Sequence, residues 1–320
     1  MYFNWFPGCG HEAGIACAPA VAKCGGQVFA IDRPGMGETS SPYGTNDFSD
    51  ADRYLATFIG SFGELVEDRE WEEFSVVGVS RGGPYTLALL ASYFQRCTNK
   101  TTTTRLRNVC LVGALCLSAG RKEWRRNWRS SIRRSKRPKP PSGTVSSWQP
   151  SVRSKYAPLV YEVSEFLVKQ VSPEADREFV SNDENIVPFL EVIGVMATQG
   201  GYPEIYDEAI ISVRAELHHE DVIRKIYSSK NDNDDLPSIG IFQGQSDANV
   251  PPSHAEYLYE SIFHEQSRVF RYEGLGHQST IMVKPEDYAA FATAERKKWA
   301  KRKKAPSVMP IKLYDFIQCV

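Results

Sequence analysis

A serine between two glycines is the feature of this sequence with the clearest chemical potential. Gly78-Val79-Ser80-Arg81-Gly82 follows a β-branched, strand-like segment at 74–77 and precedes a helix-like segment that begins at Pro84. A serine in a G-x-S-x-G pattern occupies a sharp strand-to-helix turn that exposes its hydroxyl at the edge of a sheet. The glycines are expected because a side chain at either flank would collide with the neighbouring strand and helix. The pattern predicts nucleophilic attack by Ser80 on a carbonyl carbon.

A serine hydroxyl needs a general base to become a nucleophile, and His277 is the best candidate. It lies in Gly274-Leu275-Gly276-His277-Gln278, just after the last predicted strand, where a flexible, glycine-flanked loop can lean the imidazole over the sheet edge. Five other histidines are better explained as surface or helix residues. They are His11, His218, His219, His254 and His264.

The third candidate is Asp247, whose carboxylate can hold the imidazole in the correct tautomer and stabilise its cation. It follows a predicted strand at 238–243, whereas the alternatives Asp232 and Asp235 belong to a polar run before that strand that indicates a solvated loop. Ser80, Asp247 and His277 would each lie at the carboxyl end of a strand, where open α/β sheets place their sites. Their chain order is that of one known class of catalytic triad.

The elements that must position these residues alternate between strands and helices, which predicts a mostly parallel sheet. Nearly continuous apolar runs indicate strands that are buried on both faces. The predicted strands are Tyr2–Phe6, Gln27–Asp32, Phe74–Val79, Asn108–Leu115, Ser238–Gln243 and Arg268–Tyr272, and the predicted helices of this part are Phe48–Asp68, Pro84–Tyr93 and Pro285 to about Lys301.

A helical insertion interrupts this alternation between residues 121 and 236, where the strand signal disappears and three-to-four spacing takes over. Its segment Ile186–Met196 is apolar nearly all round, so it must be covered on several sides and can line an apolar pocket. The predicted organisation is a core at 1–120 and 237–302, the insertion at 121–236, and a tail at 303–320.

The composition is close to the average of soluble globular proteins. With 320 residues, 42% hydrophobic and 24% charged, it excludes disorder, collagen and coiled coil as descriptions of the whole. No run of about 18 apolar residues and no signal-peptide pattern occurs, which predicts a cytoplasmic protein. The seven cysteines lack C-x-x-C spacing, so free thiols are expected, and neither a metal nor an organic cofactor is implied.

The net charge of −1 conceals two basic segments. Residues 121–139 carry +9 and residues 296–304 carry +7, which leaves −17 on the rest of the chain. Trp124, Trp128 and Ile132 recur at helical spacing within the first segment, so it either makes weak contact with an anionic surface or packs its tryptophans inward. No nucleic-acid-binding module accompanies the charge, and no nucleic-acid partner is expected.

These features together resemble the α/β-hydrolase superfamily, in particular its capped serine hydrolases of esterase or lipase type. The resemblance spans about residues 2–300 and rests on Phe6-Pro7-Gly8-Cys9-Gly10 at the oxyanion turn, on Asp32-Arg33-Pro34-Gly35-Met36-Gly37 and on the Ser80, Asp247 and His277 motifs. It implies a helical cap at 121–236 and an oxyanion held by the backbone amides of Gly8 and Arg81, with the Cys9 amide as a further candidate. A serine at the elbow argues against branches of the superfamily whose nucleophile is an aspartate.

The sequence departs from the family pattern at its start. The family usually has two strands before the oxyanion strand and a His-Gly pair at the turn, whereas this chain begins almost inside that strand and has Phe6-Pro7. The fold expected is thus an α/β-hydrolase sheet whose first edge strands are either lost or precede the recorded start of the sequence. The activity expected is hydrolysis of a small hydrophobic ester or acyl substrate. Alternatives are hydrolysis of peptide ends or of carbon–carbon bonds, or non-catalytic ligand binding.

Overall fold

A computed structural model gives the fold of the chain. It describes residues 1–3, 10–32, 51–99, 104–116, 172–182, 185–187, 190, 218–228 and 236–294.

The centre of the fold is a five-stranded sheet in which every neighbouring pair is parallel. The strands follow one another across the sheet in chain order, which confirms the predicted α/β architecture. Their bounds are β1 Tyr2–Phe3, β2 Glu73–Val79, β3 Arg105–Val112, β4 Ser238–Gly244 and β5 Ser267–Tyr272.

Both faces of the sheet are buried because successive side chains of each strand enter different halves of the core. In β3, Val109 and Leu111 join the half that contains helices α3 and α4, here defined as Ala51–Asp68 and Gly82–Thr98. Cys110 and Val112 join the opposite half. This burial explains the apolar runs that predicted the strands.

The remaining helices lie around the sheet. They are α1 Gly10–Ala16, α2 Ala18–Lys23, α5 Glu174–Ser181, α6 His218–Ser228, α7 Ser253–Tyr257 with a π-helical extension at Leu258–Phe263 and a 3-10 turn at His264–Gln266, α8 His277–Val283 and α9 Pro285–Thr293.

The segment Gln27–Asp32, predicted as a strand, forms a single parallel bridge between Ala30 and Tyr2. The Tyr2 N–H donates to the Phe29 carbonyl at 2.9 Å, so the segment lies alongside β1 without extending the ladder. The prediction was therefore right about the position of this segment and wrong about its regularity.

β3 also differs from its predicted bounds, Asn108–Leu115. It ends at Val112 because Gly113 adopts a positive φ of 49°, outside the range of a regular strand, although the Gly113 N–H still donates to the Phe242 carbonyl of β4 at 2.8 Å. The chain turns at this point toward the carboxyl edge of the sheet. The positions after β3 thereby come close to the end of β2.

The last helix is shorter than the sequence predicted. α9 ends at Thr293 rather than near Lys301, and Ala294 is already extended. Asn108 donates through Nδ2 to the carbonyls of Ala292 and Ala294 at 3.0 and 3.1 Å, and Ser75 donates to the Ala292 carbonyl at 2.6 Å. Side chains of the sheet thus take up carbonyls that helix continuation would otherwise need.

Several predictions lie outside the described residues, namely most of the insertion at 121–236, both basic segments and the tail at 303–320. Two described helices fall within the insertion range, α5 and α6. α6 packs its Ile223 and Tyr227 into the core half that holds α4. None of the helices in the described ranges combines the length and apolar character needed to cross a membrane.

Candidate active site

Ser80 lies on a strained turn between β2 and α4. Its φ of 52° is in the left-handed region, which costs a non-glycine residue on the order of 1–3 kcal/mol. Hydrogen bonds to the sheet and to the segment after β3 hold this conformation. The Ser80 N–H donates to the Val112 carbonyl at 2.9 Å, and the Ser80 carbonyl accepts from Leu115 and Gly83 at 2.8 and 3.0 Å.

The two glycines of the motif allow close approach, as the sequence predicted. A Cβ on Gly78 would overlap the Thr86 hydroxyl, and a Cβ on Gly82 would overlap the Phe3 carbonyl oxygen. Gly82 is therefore the point at which the start of α4 touches β1. The motif fixes the serine by allowing strand and helix to pack against each other without intervening side chains.

The structure brings the three predicted residues into one chain of hydrogen bonds. His277 Nε2 lies 2.9 Å from Ser80 Oγ, and His277 Nδ1 lies 2.7 Å from Asp247 Oδ2. All three residues are buried. Ser80 directly follows β2, Asp247 follows β4, and His277 follows β5, so they meet at the carboxyl edge of the parallel sheet.

The position of Asp247 is fixed by donors from its own loop and strand. Its Oδ1 accepts from the N–H groups of Asn249 and Val250 at 2.9 and 2.7 Å, and its Oδ2 accepts from Gln243 Nε2 at 3.3 Å. An ionised carboxylate only accepts, so His277 Nδ1 must donate to it. Nε2 is then left to accept the proton of the Ser80 hydroxyl.

His277 is not in a flexible loop, as the sequence had suggested, but is the first residue of helix α8. Asp176, from α5, accepts a hydrogen bond from the His277 N–H at 2.8 Å and two from Ser279, from its N–H at 3.0 Å and its hydroxyl at 2.8 Å. Asp176 was not among the residues predicted from the sequence. An acid in the first turn of a helix is an ordinary feature, so no local signal pointed to this partner.

The other histidines have different roles or positions. His254 is buried in α7, where its Nδ1 accepts from the Cys116 N–H at 3.0 Å. Burial lowers the pKa of His254, opposed by the nearby charge of Asp247, so its neutral form is favoured. The remaining four lie in α1 (His11), at the start of α6 (His218 and His219) and in the exposed turn before β5 (His264).

Of the two predicted oxyanion amides, Arg81 follows Ser80 at the start of α4, where helix N–H groups lack intrahelical partners and favour negative charge. Gly8, together with Cys9, lies outside the described residues, as do Asp232 and Asp235. Of the segment Asp32 to Gly37, only Asp32 is described. Its carboxylate accepts from the Gly10 N–H and thereby ties the start of α1 to this segment.

The described residues contain no group of three or more His, Cys, Asp or Glu side chains that could hold a metal ion. Cys17, Cys24, Cys97, Cys110 and Cys116 are free thiols. Burial raises the pKa of Cys17 to about 12 and also raises that of Cys110. These two thiols are therefore poor nucleophiles at neutral pH.

A sequence model described as the alpha/beta hydrolase family matches residues 5–291. No curated protein matches the chain significantly. Three similar solved structures are a bromoperoxidase from Bacillus anthracis (18% identity, 90% of this chain and 88% of that one, TM-score 0.55), an esterase from Exiguobacterium antarcticum (14%, 95% and 91%, 0.56) and a serine hydrolase from Cycloclasticus zankles (15%, 93% and 87%, 0.55). At these identities the likeness establishes the fold.

Proposed function

We propose that this chain, which belongs to the alpha/beta hydrolase family, is a serine hydrolase that cleaves a small hydrophobic carboxylic ester through an acyl-enzyme. The observation that carries the proposal is the chain of hydrogen bonds from Ser80 through His277 to Asp247, with lengths of 2.9 and 2.7 Å. Fold by itself does not fix function, and this arrangement of three reactive groups supplies the chemical reason.

In the first step the Ser80 hydroxyl attacks the ester carbonyl while His277 Nε2 takes its proton. Asp247 accepts a hydrogen bond from Nδ1–H of the resulting imidazolium and stabilises its positive charge. The imidazolium then gives the proton to the departing alcohol, and the acyl group stays on Ser80. Burial of the three residues strengthens these interactions because water does not screen them.

The oxyanion that forms on the substrate needs hydrogen-bond donors. We assign this role to the backbone amides of Arg81 and Gly8. The support for Arg81 is its position at the start of α4, next to the nucleophile. In the second step water attacks the acyl carbonyl while His277 Nε2 takes its proton; the bond from the acyl carbon to Ser80 Oγ breaks, the carboxylic acid leaves, and His277 returns the proton to Ser80 Oγ.

The preference for a small hydrophobic acyl group is proposed from the apolar segment at 186–196. Among its described residues, Ile186 and Leu190 are buried with Val180 in a small apolar cluster, while Val187 is 41% exposed. An apolar lining favours uncharged, hydrophobic acyl groups over charged ones. Chain length is the property that a substrate series measures directly.

The test compares wild type with Ser80→Ala on p-nitrophenyl acetate, butyrate and octanoate. We expect wild-type turnover and at least about a thousandfold loss of kcat in Ser80→Ala, because the remaining residues cannot replace the nucleophile. A fluorophosphonate probe should label wild type and fail to label Ser80→Ala. Ser267→Ala, at the amino end of β5, serves as the matched control and should keep full activity.

The proposal is wrong if fluorophosphonate labels Ser80→Ala as fast as wild type. It is also wrong if folded wild type shows neither labelling nor turnover of any of the three esters. An activity that falls equally in Ser80→Ala and Ser267→Ala would point to loss of fold rather than loss of the nucleophile.

A further inference from the structure

One carboxylate at the candidate site is not accounted for by the proposed reaction. Asp176 belongs to α5, within the inserted stretch, and its side chain reaches a helix that follows it by about a hundred residues. It is completely buried. Its partners are the N–H of His277 and the N–H and hydroxyl of Ser279, at 2.8, 3.0 and 2.8 Å.

We propose that Asp176 is a positioning residue that fixes the start of α8 and thereby places the His277 imidazole between Ser80 and Asp247. This inference rests on the proposed function, because it assigns Asp176 a role in the same proton transfer. Asp176 acts through the backbone of His277 and touches no reacting atom.

The first reason is the electrostatics of a helix start. The first N–H groups of a helix have no intrahelical acceptors and carry partial positive charge, so a carboxylate placed there is stabilising. Asp176 supplies that acceptor from a different part of the chain. Hydrogen bonds to an ionised group are about twice as strong as neutral ones, which suits a contact that has to hold position.

The second reason is the close fit around the carboxylate. A Cβ on Gly276 would lie 2.5 Å from the Asp176 carboxyl carbon, so the glycine leaves room for the acid. The Ser279 hydroxyl donates to Asp176 and accepts from the Gly276 N–H at 2.8 Å. The residues on both sides of His277 are thus held by one connected set of hydrogen bonds.

The third reason is that the contact is made with His277 itself. A change in the backbone at this residue moves the imidazole directly, and a misplacement of about 1 Å can cost on the order of a hundredfold in rate. α5 packs against α8 and lies within the predicted cap. The packing of α5 against α8 therefore determines how the His277 imidazole is placed for the proton transfer.

The experiment uses the full chain with Asp176→Asn, Asp176→Ala and, as matched control, Glu178→Gln. Glu178 is exposed on the same helix, so its replacement removes the same charge without touching α8. The rate of fluorophosphonate labelling reports the competence of Ser80 and His277, and p-nitrophenyl butyrate gives kcat and KM. Thermal unfolding is recorded for each variant.

We expect labelling rate and kcat to fall about tenfold in Asp176→Asn, which keeps one acceptor oxygen, and about a hundredfold in Asp176→Ala. KM should change less than about threefold, because the contact does not involve substrate. Glu178→Gln should behave as wild type. A purely structural role would instead lower the melting temperature and leave kcat of the folded protein unchanged, which would overturn the proposal.

Amide hydrogen exchange over residues 276–283 gives a readout that needs no catalysis. We expect faster exchange there in both Asp176 variants than in Glu178→Gln, since the His277 and Ser279 amides lose their acceptor. Unchanged exchange in this segment overturns the inference, and Asp176→Asn decides alone if Asp176→Ala does not fold. If wild type is not labelled at all, the proposed function fails, while exchange still judges the contact.

Discussion

The carboxylate of Asp247 is buried and is held in place by hydrogen bonds. It is 3% exposed, and four donors surround it, three from its own strand and loop and one from His277. These four hydrogen bonds hold the Asp247 carboxylate in place, and none of the four comes from a lysine or an arginine. The contact between Asp247 Oδ2 and His277 Nδ1 favours the tautomer that carries its proton on Nδ1, because a carboxylate oxygen accepts the hydrogen bond.

Replacing this residue by asparagine tests the tautomer argument. We expect Asp247→Asn to lower kcat by about 10³–10⁴-fold with little change in fold, because the amide can donate to Nδ1 and leave the proton on Nε2. The measurement is turnover of p-nitrophenyl butyrate. Asp221→Asn, an exposed residue paired with Arg224 at 2.7 Å, is the control. An Asp247→Asn enzyme with more than about a tenth of wild-type kcat would contradict the assignment.

His254 should make the stability of the protein depend on pH. Burial lowers its pKa in the folded state, while in the unfolded chain it titrates near 6.5. Below that pH the unfolded state binds a proton that the folded state resists, so the free energy of unfolding decreases as the pH falls. Above about pH 6.5 His254 is neutral in both the folded and the unfolded state, so it causes no loss of folding stability there.

The test is urea unfolding of wild type and His254→Asn at pH 7.5 and 5.5. Asparagine keeps an acceptor for the Cys116 N–H but cannot titrate. We expect wild type to lose more stability than His254→Asn between the two pH values. Equal losses would show that His254 does not contribute to the pH dependence.

At the scale of the elements, the candidate site depends on how closely α4 approaches the sheet. Gly82 meets the carbonyl of Phe3, and the first turn of α4 is buried throughout. Ser80 therefore sits at a junction of three elements, β1, β2 and α4. A side chain added at Gly82 would push α4, and with it the Arg81 amide at its start, away from β1.

Gly82→Ala is expected to cost at least about 2 kcal/mol of stability, because the added methyl group overlaps backbone that cannot give way. Gly60→Ala, at an exposed position of α3 with open space around it, should instead stabilise by about 0.5–1 kcal/mol. Denaturant unfolding measures both. The packing argument fails if the two substitutions have the same sign.

At the scale of the whole molecule, the sheet divides the core into two halves, and aromatic side chains fill one of them behind β4 and β5. Phe242 stacks on Phe270 with ring centres 4.5 Å apart and meets Phe291 and Tyr288 edge-on. Offset and edge-on aromatic contacts add to the free energy of burial. This cluster joins the strands that precede Asp247 and His277 to α9.

Phe242→Ala should lower the free energy of unfolding by about 3–5 kcal/mol, since it leaves a cavity among rigid rings. Phe242→Leu keeps most of the volume and should cost less than half as much. Chemical denaturation of the two variants checks the order. Equal losses would mean that stacking rather than volume dominates at this position.

Features that depend on a local pattern could be predicted from the sequence. Apolar runs identified β2 and β4, and the pattern around Ser80 predicted the turn between β2 and α4, because a strand, a glycine-flanked serine and a helix follow one another within a few residues. Asp247 and His277 were found from their positions after strands, since parallel strands bring their carboxyl ends to one edge.

Features that depend on partners distant in the chain became visible in the fold alone. Asp176 meets His277 across about a hundred residues, and Asn108 in β3 donates to two carbonyls at the end of α9. Neither contact leaves a periodic or local trace, because it arises when two separately formed elements pack together. The sequence thus determined which groups can react, and the packing of α5 and α8 decided how the histidine among them is held.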